Sequence, residues 1–146
     1  MRILLRGEIA PPTWPEGSSV RGFHASDGPR LHALLEHGYR NGGGSVEPYD
    51  VWLPAITGDS EFDSETCFLV EVGDELAAAS ICWTSAFVKD LVVSPSHRRL
   101  GLASSLLQHA FATFVARGAE AVELKVEAGN HAAIALYRSL GMAPAA

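Results

Sequence analysis

Apolar positions along the chain switch between two periods, and the switches mark its elements. Residues 1–10, MRILLRGEIA, hold a short apolar run that reads as a strand. Residues 10–19, APPTWPEGSS, form a proline-rich link, extended and turn-prone. Val20, Gly22 and Phe23 open a short strand pattern. Leu31, Leu34, Leu35 and Tyr39 then recur at helical spacing and predict a helix over 26–40. Ser26 or Asp27 caps it, Pro29 falls in its first turn, and Gly42 to Gly44 end it. A short helix is expected around 49–56, bounded by Pro54.

Two apolar runs follow, 67–72 (CFLVEV) and 76–83 (LAAASICW), joined by Gly73-Asp74-Glu75 as a hairpin. Pairing Val72 with Glu75 sets Cys67 opposite Ser80, which predicts two buried thiols and no bridge. Residues 86–93, AFVKDLVV, make a third strand that stops at Ser94-Pro95. The strongest helix pattern is 101–117, with Leu102, Leu106, Leu107, Ala110, Phe111 and Phe114 on one face. Gly118 ends it. Val122, Leu124 and Val126 alternate in a strand over 120–127. Asn130 caps a last helix, 131–140, with Ala133, Ile134, Tyr137 and Leu140 inward and Gly141 past its end. Such an order predicts an α/β (α+β) fold with a mixed central sheet flanked by helices.

Composition narrows the classes. The 146 residues carry a formal net charge of −6, so nucleic acid is not an expected partner, although a local basic patch can hold an anion. No apolar run is long enough to span a membrane and no signal peptide is read, so a cytoplasmic location is expected. Two cysteines exclude a disulfide scaffold. No Cys-x-x-Cys or His-Glu-x-x-His occurs, and His32 and His37 stand five apart, off one face, so no metal site is expected.

The chemistry concentrates in KDLVVSPSHRRLGLASSLL, 89–107. A strand ends, a turn follows, and Arg98-Arg99-Leu100-Gly101-Leu102-Ala103 opens a helix. The first turn of a helix offers four unpaired N–H groups and the positive end of its dipole, which together bind anions. Gly101 and Ala103 let a phosphate reach the backbone, Arg98 and Arg99 add charge, and Ser104 and Ser105 add hydroxyls. The signatures of a nucleotide-hydrolysing P-loop and of a dinucleotide fold are absent.

Arg98-x-x-Gly101-x-Ala103 resembles the Gln/Arg-x-x-Gly-x-Gly/Ala motif of the GCN5-related N-acetyltransferase (GNAT) superfamily. Asn130 to Met142 is similar to the family's second block, Asn-x-x-Ala-x-x-x-Tyr-x-x-x-Gly-Phe, with Met142 in place of Phe. The resemblance covers roughly residues 20–142. It implies a GNAT-like domain over 20–146, preceded by a strand-like segment and link over 1–19. It implies transfer of an acetyl group from acetyl-CoA to a primary amine, on a small molecule or a peptide, by direct attack. The strand ending at Val93 would splay from 120–127, and the pantetheine arm would pair with backbone around Leu91, Val92 and Val93. The N–H groups of Arg99 to Ser104, Leu102 included, would hold the pyrophosphate. Backbone near Val92 would polarise the thioester carbonyl. Tyr137 would protonate the leaving thiolate, and Asn130 would contact the pantetheine as well as cap its helix.

The general base is open. Strict alternation puts Phe87, Lys89, Leu91 and Val93 on one face and Asp90 on the other, and a bulge of the kind common in this strand of the family breaks that parity. Asp90, Glu71 and Glu127 are candidates, and His131 sits in the first turn of the last helix. Glu47, Asp50, Asp59, Glu61, Asp63 and Glu65 form an acidic stretch suited to attracting a cationic amine, or a solvated loop. The family's usual C-terminal strands have no counterpart after Gly141. An edge beside 120–127 is then left to residues 2–9 or to a second copy in a homodimer. A module that binds coenzyme A without transfer, and a non-enzymatic interaction domain, are the alternatives.

Overall fold

A computed structural model of the chain describes residues 1–6, 9–40 and 45–145. The strands are β1 (Arg2–Leu4), β2 (Ser18–Arg21), β3 (Cys67–Val72), β4 (Glu75–Trp83), β5 (Phe87–Val93) and β6 (Ala121–Leu124). The helices are α1 (Gly28–Tyr39), α2 (Tyr49–Thr57), α3 (Leu102–Ala116) and α4 (His131–Ser139). The strands form one sheet in the order β1-β6-β5-β4-β3-β2, antiparallel except where β5 meets β6.

Helices cover both faces, which is why the middle strands read as continuous apolar runs. On one face, Leu102, Leu106, Phe111 and Phe114 of α3 pack with Val88, Val122 and Met142, with Leu136 and Tyr137 of α4 and Leu140 just past its end at the margin. On the other, Leu31 and Leu35 of α1 and Trp52 and Ile56 of α2 pack on Leu69, Ile81 and Val92. No helix among the described residues is long and apolar enough to cross a membrane.

The hairpin register shifts by one residue, and β5 carries a bulge of the kind that breaks strict alternation. A bulge between Val70 and Glu71 sets Cys67 opposite Ile81 rather than Ser80, and Ser80 faces Phe68. The two thiols are free and buried, and burial pushes both pKa values up. A second irregularity makes Ile81 pair with Asp90 and Cys82 with Val88, so Lys89 is the extra residue on β5. Val88 therefore shares a face with Leu91 and Val93, while Val92 lies on the opposite face with α1.

Several boundaries also move. Pro54 lies inside α2 rather than at its end. The carbonyl that its missing N–H leaves free belongs to Asp50, an exposed first-turn residue that water can satisfy. The strand expected over 120–127 stops at Leu124, because the next residues leave the sheet. Gly42 to Gly44 lie outside the described residues. The edge of β6 is closed by β1, with Ile3 opposite Val122. Arg2 and Ala143 exchange backbone hydrogen bonds of 2.7 and 2.9 Å on the far side of β1.

Asp27 precedes α1, but its carboxylate caps no N–H of that helix. Instead both its oxygens accept from Arg21 at 2.7 Å, Oδ2 accepts the His24 N–H at 2.7 Å, and Oδ1 accepts from Arg30 at 3.2 Å. These contacts bind β2 to the start of α1 and hold the Asp27 carboxyl well below the usual carboxylate range, led by Arg21. A lowered folded pKa contributes stability that is complete above the unfolded value, about 4, and lost as pH falls below it. Asp27→Asn is expected to lower the urea midpoint at pH 7 and to flatten its decline between pH 5 and pH 2. An acid limb as steep as that of the parent would show that Asp27 does not carry this dependence.

Candidate active site

The site begins where the sheet fails to close. β5 and β6 pair only at Phe87–Glu123 and Val88–Leu124. Beyond these pairs the strands diverge around a cleft of about 780 Å³. Ser94 donates its N–H to Ala77 at 2.8 Å, and Val92 pairs with Ala79. Because strand residues turn their N–H and C=O alternately to either side, Val92 faces β4, while Leu91 and Val93 present theirs to the gap. The expectation that Val92 backbone polarises a carbonyl in the gap is thus corrected, since the bulge at Lys89 sets this phase. Backbone groups facing an open cleft need water or a ligand with its own donors and acceptors. An extended chain carrying amides, such as a pantetheine arm, fits that edge.

Helices approach the gap from both faces. α1 contributes Gly38 and Tyr39, and α4 contributes Tyr137, with Asn130 at its start. Asn130 caps α4 by accepting the Ala133 N–H at 3.2 Å. The Tyr137 pKa is raised by burial, which keeps the phenol protonated and a hydrogen donor. The Tyr39 pKa is also raised, by burial first and then by Asp90, with a smaller contribution from Tyr137. Asp90, only 5% exposed, accepts hydrogen bonds from the Tyr39 hydroxyl and from Lys89 Nζ, the latter at 3.0 Å.

The loop after β5 forms a second group. A 3₁₀ turn, Pro95–His97, leads to Arg99 at φ 68° and Gly101 at φ 79°, both in the left-handed region. A side chain at Gly101 would meet no atom within 4 Å, so its backbone conformation rather than space selects glycine. Ser105 donates its N–H to the Gly101 carbonyl at 3.0 Å. The N–H groups of Leu102, Ala103 and Ser104 precede that bond and lie free at the helix end. Arg98, Arg99 and Gly101 are exposed, whereas the Leu102 side chain is buried in the core and offers only its backbone. Ser105 is buried too, and its hydroxyl is taken by the carbonyls of Thr13 and Gly101.

The predicted residues thus sort by place. Leu91, Asn130, Tyr137, Asp90 and Glu127 line the cleft. Arg98 to Ser104 form the loop, joined to the cleft wall through Val93. Glu71 is excluded as a base, because it pairs with Arg21 at 2.7 Å and Arg30 at 3.8 Å on β3, away from the cleft. His131 is exposed and does not line the cleft. The acidic stretch serves its own turns. Asp59 and Asp63 accept the N–H groups of Glu61 and Glu65, and Asp63 and Glu65 pair with Arg117. Tyr39 and Lys89 were missed as site residues. Tyr39 read as core because it continues the apolar face of α1, and only the fold brings it to Asp90. No group of three or more metal-ligating side chains occurs among the described residues.

Comparison with known proteins agrees with this architecture. The profile of the acetyltransferase (GNAT) family matches residues 29–142. The [ribosomal protein bS18]-alanine N-acetyltransferase of Escherichia coli strain K12 is 38% identical over 65 residues, 44% of either chain. The matched region is thus less than half the length of this curated relative. The crystal structure of a GCN5-related N-acetyltransferase from Sphaerobacter thermophilus superposes with a TM-score of 0.83 at 26% identity, covering 97% of this chain and 46% of that one. A diaminobutyrate acetyltransferase from Paenibacillus lautus, whose structure was solved in complex with L-2,4-diaminobutyric acid and coenzyme A, shares the fold. Its TM-score is 0.66 at 22% identity, over 84% of this chain and 73% of that one.

Gly38 controls how closely α1 approaches the cleft wall. A Cβ built there would stand 2.3 Å from Val92 Cγ2, a short branched side chain with little freedom to move. Alanine gains about 1 kcal/mol in helix propensity, but overpacking costs about 1–3 kcal/mol. Gly38→Ala is expected to be destabilising by denaturant titration, and to become neutral or stabilising in a Val92→Ala background. Equal effects in both backgrounds would refute the contact.

Proposed function

The chain belongs to the acetyltransferase (GNAT) family, and from that premise we propose that it transfers an acetyl group from acetyl-CoA to a primary amine by direct attack. The observation that carries this reading is the backbone edge that β5 leaves unpaired beyond Val88, with Leu91 lining the cleft and the strand running on through Val93 to the N-terminus of α3. Acetyl-CoA supplies the acetyl group as an activated thioester. The chain's own residues bind it, position it and move protons.

Leu91 and Val93 pair their N–H and C=O groups with the extended arm, as a further strand would. The N–H groups of Leu102, Ala103 and Ser104 hold the pyrophosphate at the positive end of α3, and Arg98 and Arg99 supply positive charge at its rim. Asn130 orients the arm beside the start of α4. The amine attacks in its uncharged form. A C–N bond forms as the C–S bond breaks, the amine's proton passes to a base, and the Tyr137 hydroxyl gives its proton to the leaving sulfur. Asp90 and Glu127 are the cleft carboxylates retained from the base candidates. The relatives' names include a protein alanine and a small diamine as acceptors, which supports an amine acceptor and leaves its size open.

Two substitutions test the two halves of the site. Gly101→Asp adds a negative charge and a strained side chain where the pyrophosphate docks. Calorimetry is expected to show acetyl-CoA affinity reduced by about tenfold or more, as when one charge-assisted contact worth about 1.5–3 kcal/mol is lost. Undiminished binding by a folded variant would reject the anion site. Tyr137→Phe keeps the ring and removes the donor. Turnover is expected to fall by about 10²–10⁴-fold with acetyl-CoA affinity nearly constant. An unchanged single-turnover rate would return Tyr137 to a packing role, whereas acetyl-CoA binding by the parent with no turnover of any amine would make a binding module the better reading.

A further inference from the structure

Lys89 is the residue that the bulge adds to β5. Its ammonium lies in the cleft, 3.0 Å from Asp90 Oδ2, while the other carboxylate oxygen accepts from the Tyr39 hydroxyl. The two partners of Asp90 are unlike. Tyr39 is a neutral, half-buried donor on a packed helix, and it holds Oδ1 in place. Lys89 is a flexible side chain, 35% exposed, that enters from solvent to hold Oδ2. Asp90 is only 5% exposed, so leaving its carboxylate without a cation is costly.

We propose that Asp90 Oδ2 is the docking point of the acceptor's ammonium group and that Lys89 stands in its place until the acceptor arrives. The acceptor is then a cationic primary amine, and Lys89 sets selectivity by competing for Asp90. Exchanging one ammonium for another keeps the buried carboxylate paired. A neutral acceptor that pushes Lys89 aside strands it, which is discrimination by an unpaired charge. Asp90, Glu123 and Glu127 line the cleft with Lys89, Lys125 and the Met1 ammonium, and Glu123 is also paired with Arg2 at 3.4 Å, so exchanging one ammonium for another leaves the charge balance of the cleft unchanged. This proposal deepens the acetyl-transfer reading and rests on it for the meaning of the bound amine, but the cation site itself is measurable without acetyl-CoA.

The test uses n-butylammonium as the cationic probe and n-butanol as its neutral counterpart, each titrated into the full chain with carbon-13-labelled aspartate. The Asp90 carboxylate resonance is expected to move with n-butylammonium and not with n-butanol. Lys89→Met removes the competitor and should tighten the n-butylammonium Kd at least about threefold. Lys89→Arg, which keeps a charge on Asp90, should bring no tightening. Asp90→Asn should abolish the response. An Asp90 signal that ignores n-butylammonium, or an affinity unchanged by Lys89→Met at an exposed position, overturns the proposal. Acetyl-CoA calorimetry on the same samples separates the two readings. Acetyl-CoA binding without an Asp90 response defeats the cation site alone, and an Asp90 response without acetyl-CoA binding defeats acetyl transfer alone.

Discussion

The two-residue pairing of β5 with β6 is the constraint on which the rest of the molecule depends. Had the ladder continued past Val88 and Leu124, the N–H and C=O groups of Leu91 and Val93 would be consumed within the sheet. Its early end leaves a strand edge open inside the protein, and the divergence provides the room for a ligand beside it. A buried unsatisfied backbone group costs about 1–3 kcal/mol, so such an edge persists only where the cleft admits water or a ligand. The bulge at Lys89 belongs to the same arrangement. It sets which backbone groups face the gap, and it turns Asp90 toward Tyr39.

Opening one side of β6 raises the demands on its other side. β1 meets them by pairing Ile3 with Val122, and Ala143 pairs in turn with Arg2. The chain's beginning and the stretch after α4 thereby brace the strand that borders the cleft. The proline-rich link runs from β1 past α3, where Thr13 accepts from the buried Ser105 hydroxyl and Trp14 meets His109 edge-on. A hydroxyl that the sequence offers as a phosphate donor is thus spent on holding the link.

The walls of the site differ in how firmly they are set. α3 buries Leu102, Leu106, Leu107, Ala110, Phe111 and Phe114, so the N-terminal end of the helix projects from a packed pillar. α4 has no fully buried residue, and Ala133, Ile134, Leu136, Tyr137 and Leu140 are each half-buried. Its amphipathic face meets the sheet only at the margin because part of that face looks into the gap. Tyr137 accordingly combines the spacing of a core residue with exposure to the cleft.

The sequence by itself determined what is local. The 3.6-residue period of α3, the Asn130 cap of α4 and the turn at Gly73 are each written within a few neighbouring residues. The helices and the turn that leads from β5 into α3 were legible for that reason. Their motif spacing also carried the resemblance to the acetyltransferase family. Tertiary structure decided what depends on distant pairing. Tyr39 reaches Asp90 across 51 positions, Glu71 is drawn to Arg21 across 50, and β1 meets β6 from the opposite end of the chain. Register was equally out of reach, because a single bulged residue leaves the apolar alternation nearly intact while turning Val92 toward β4 and Leu91 toward the gap. Hydrophobic periodicity reports which face a side chain takes. It is nearly silent about which backbone groups stay unpaired, and in this protein those groups make the site.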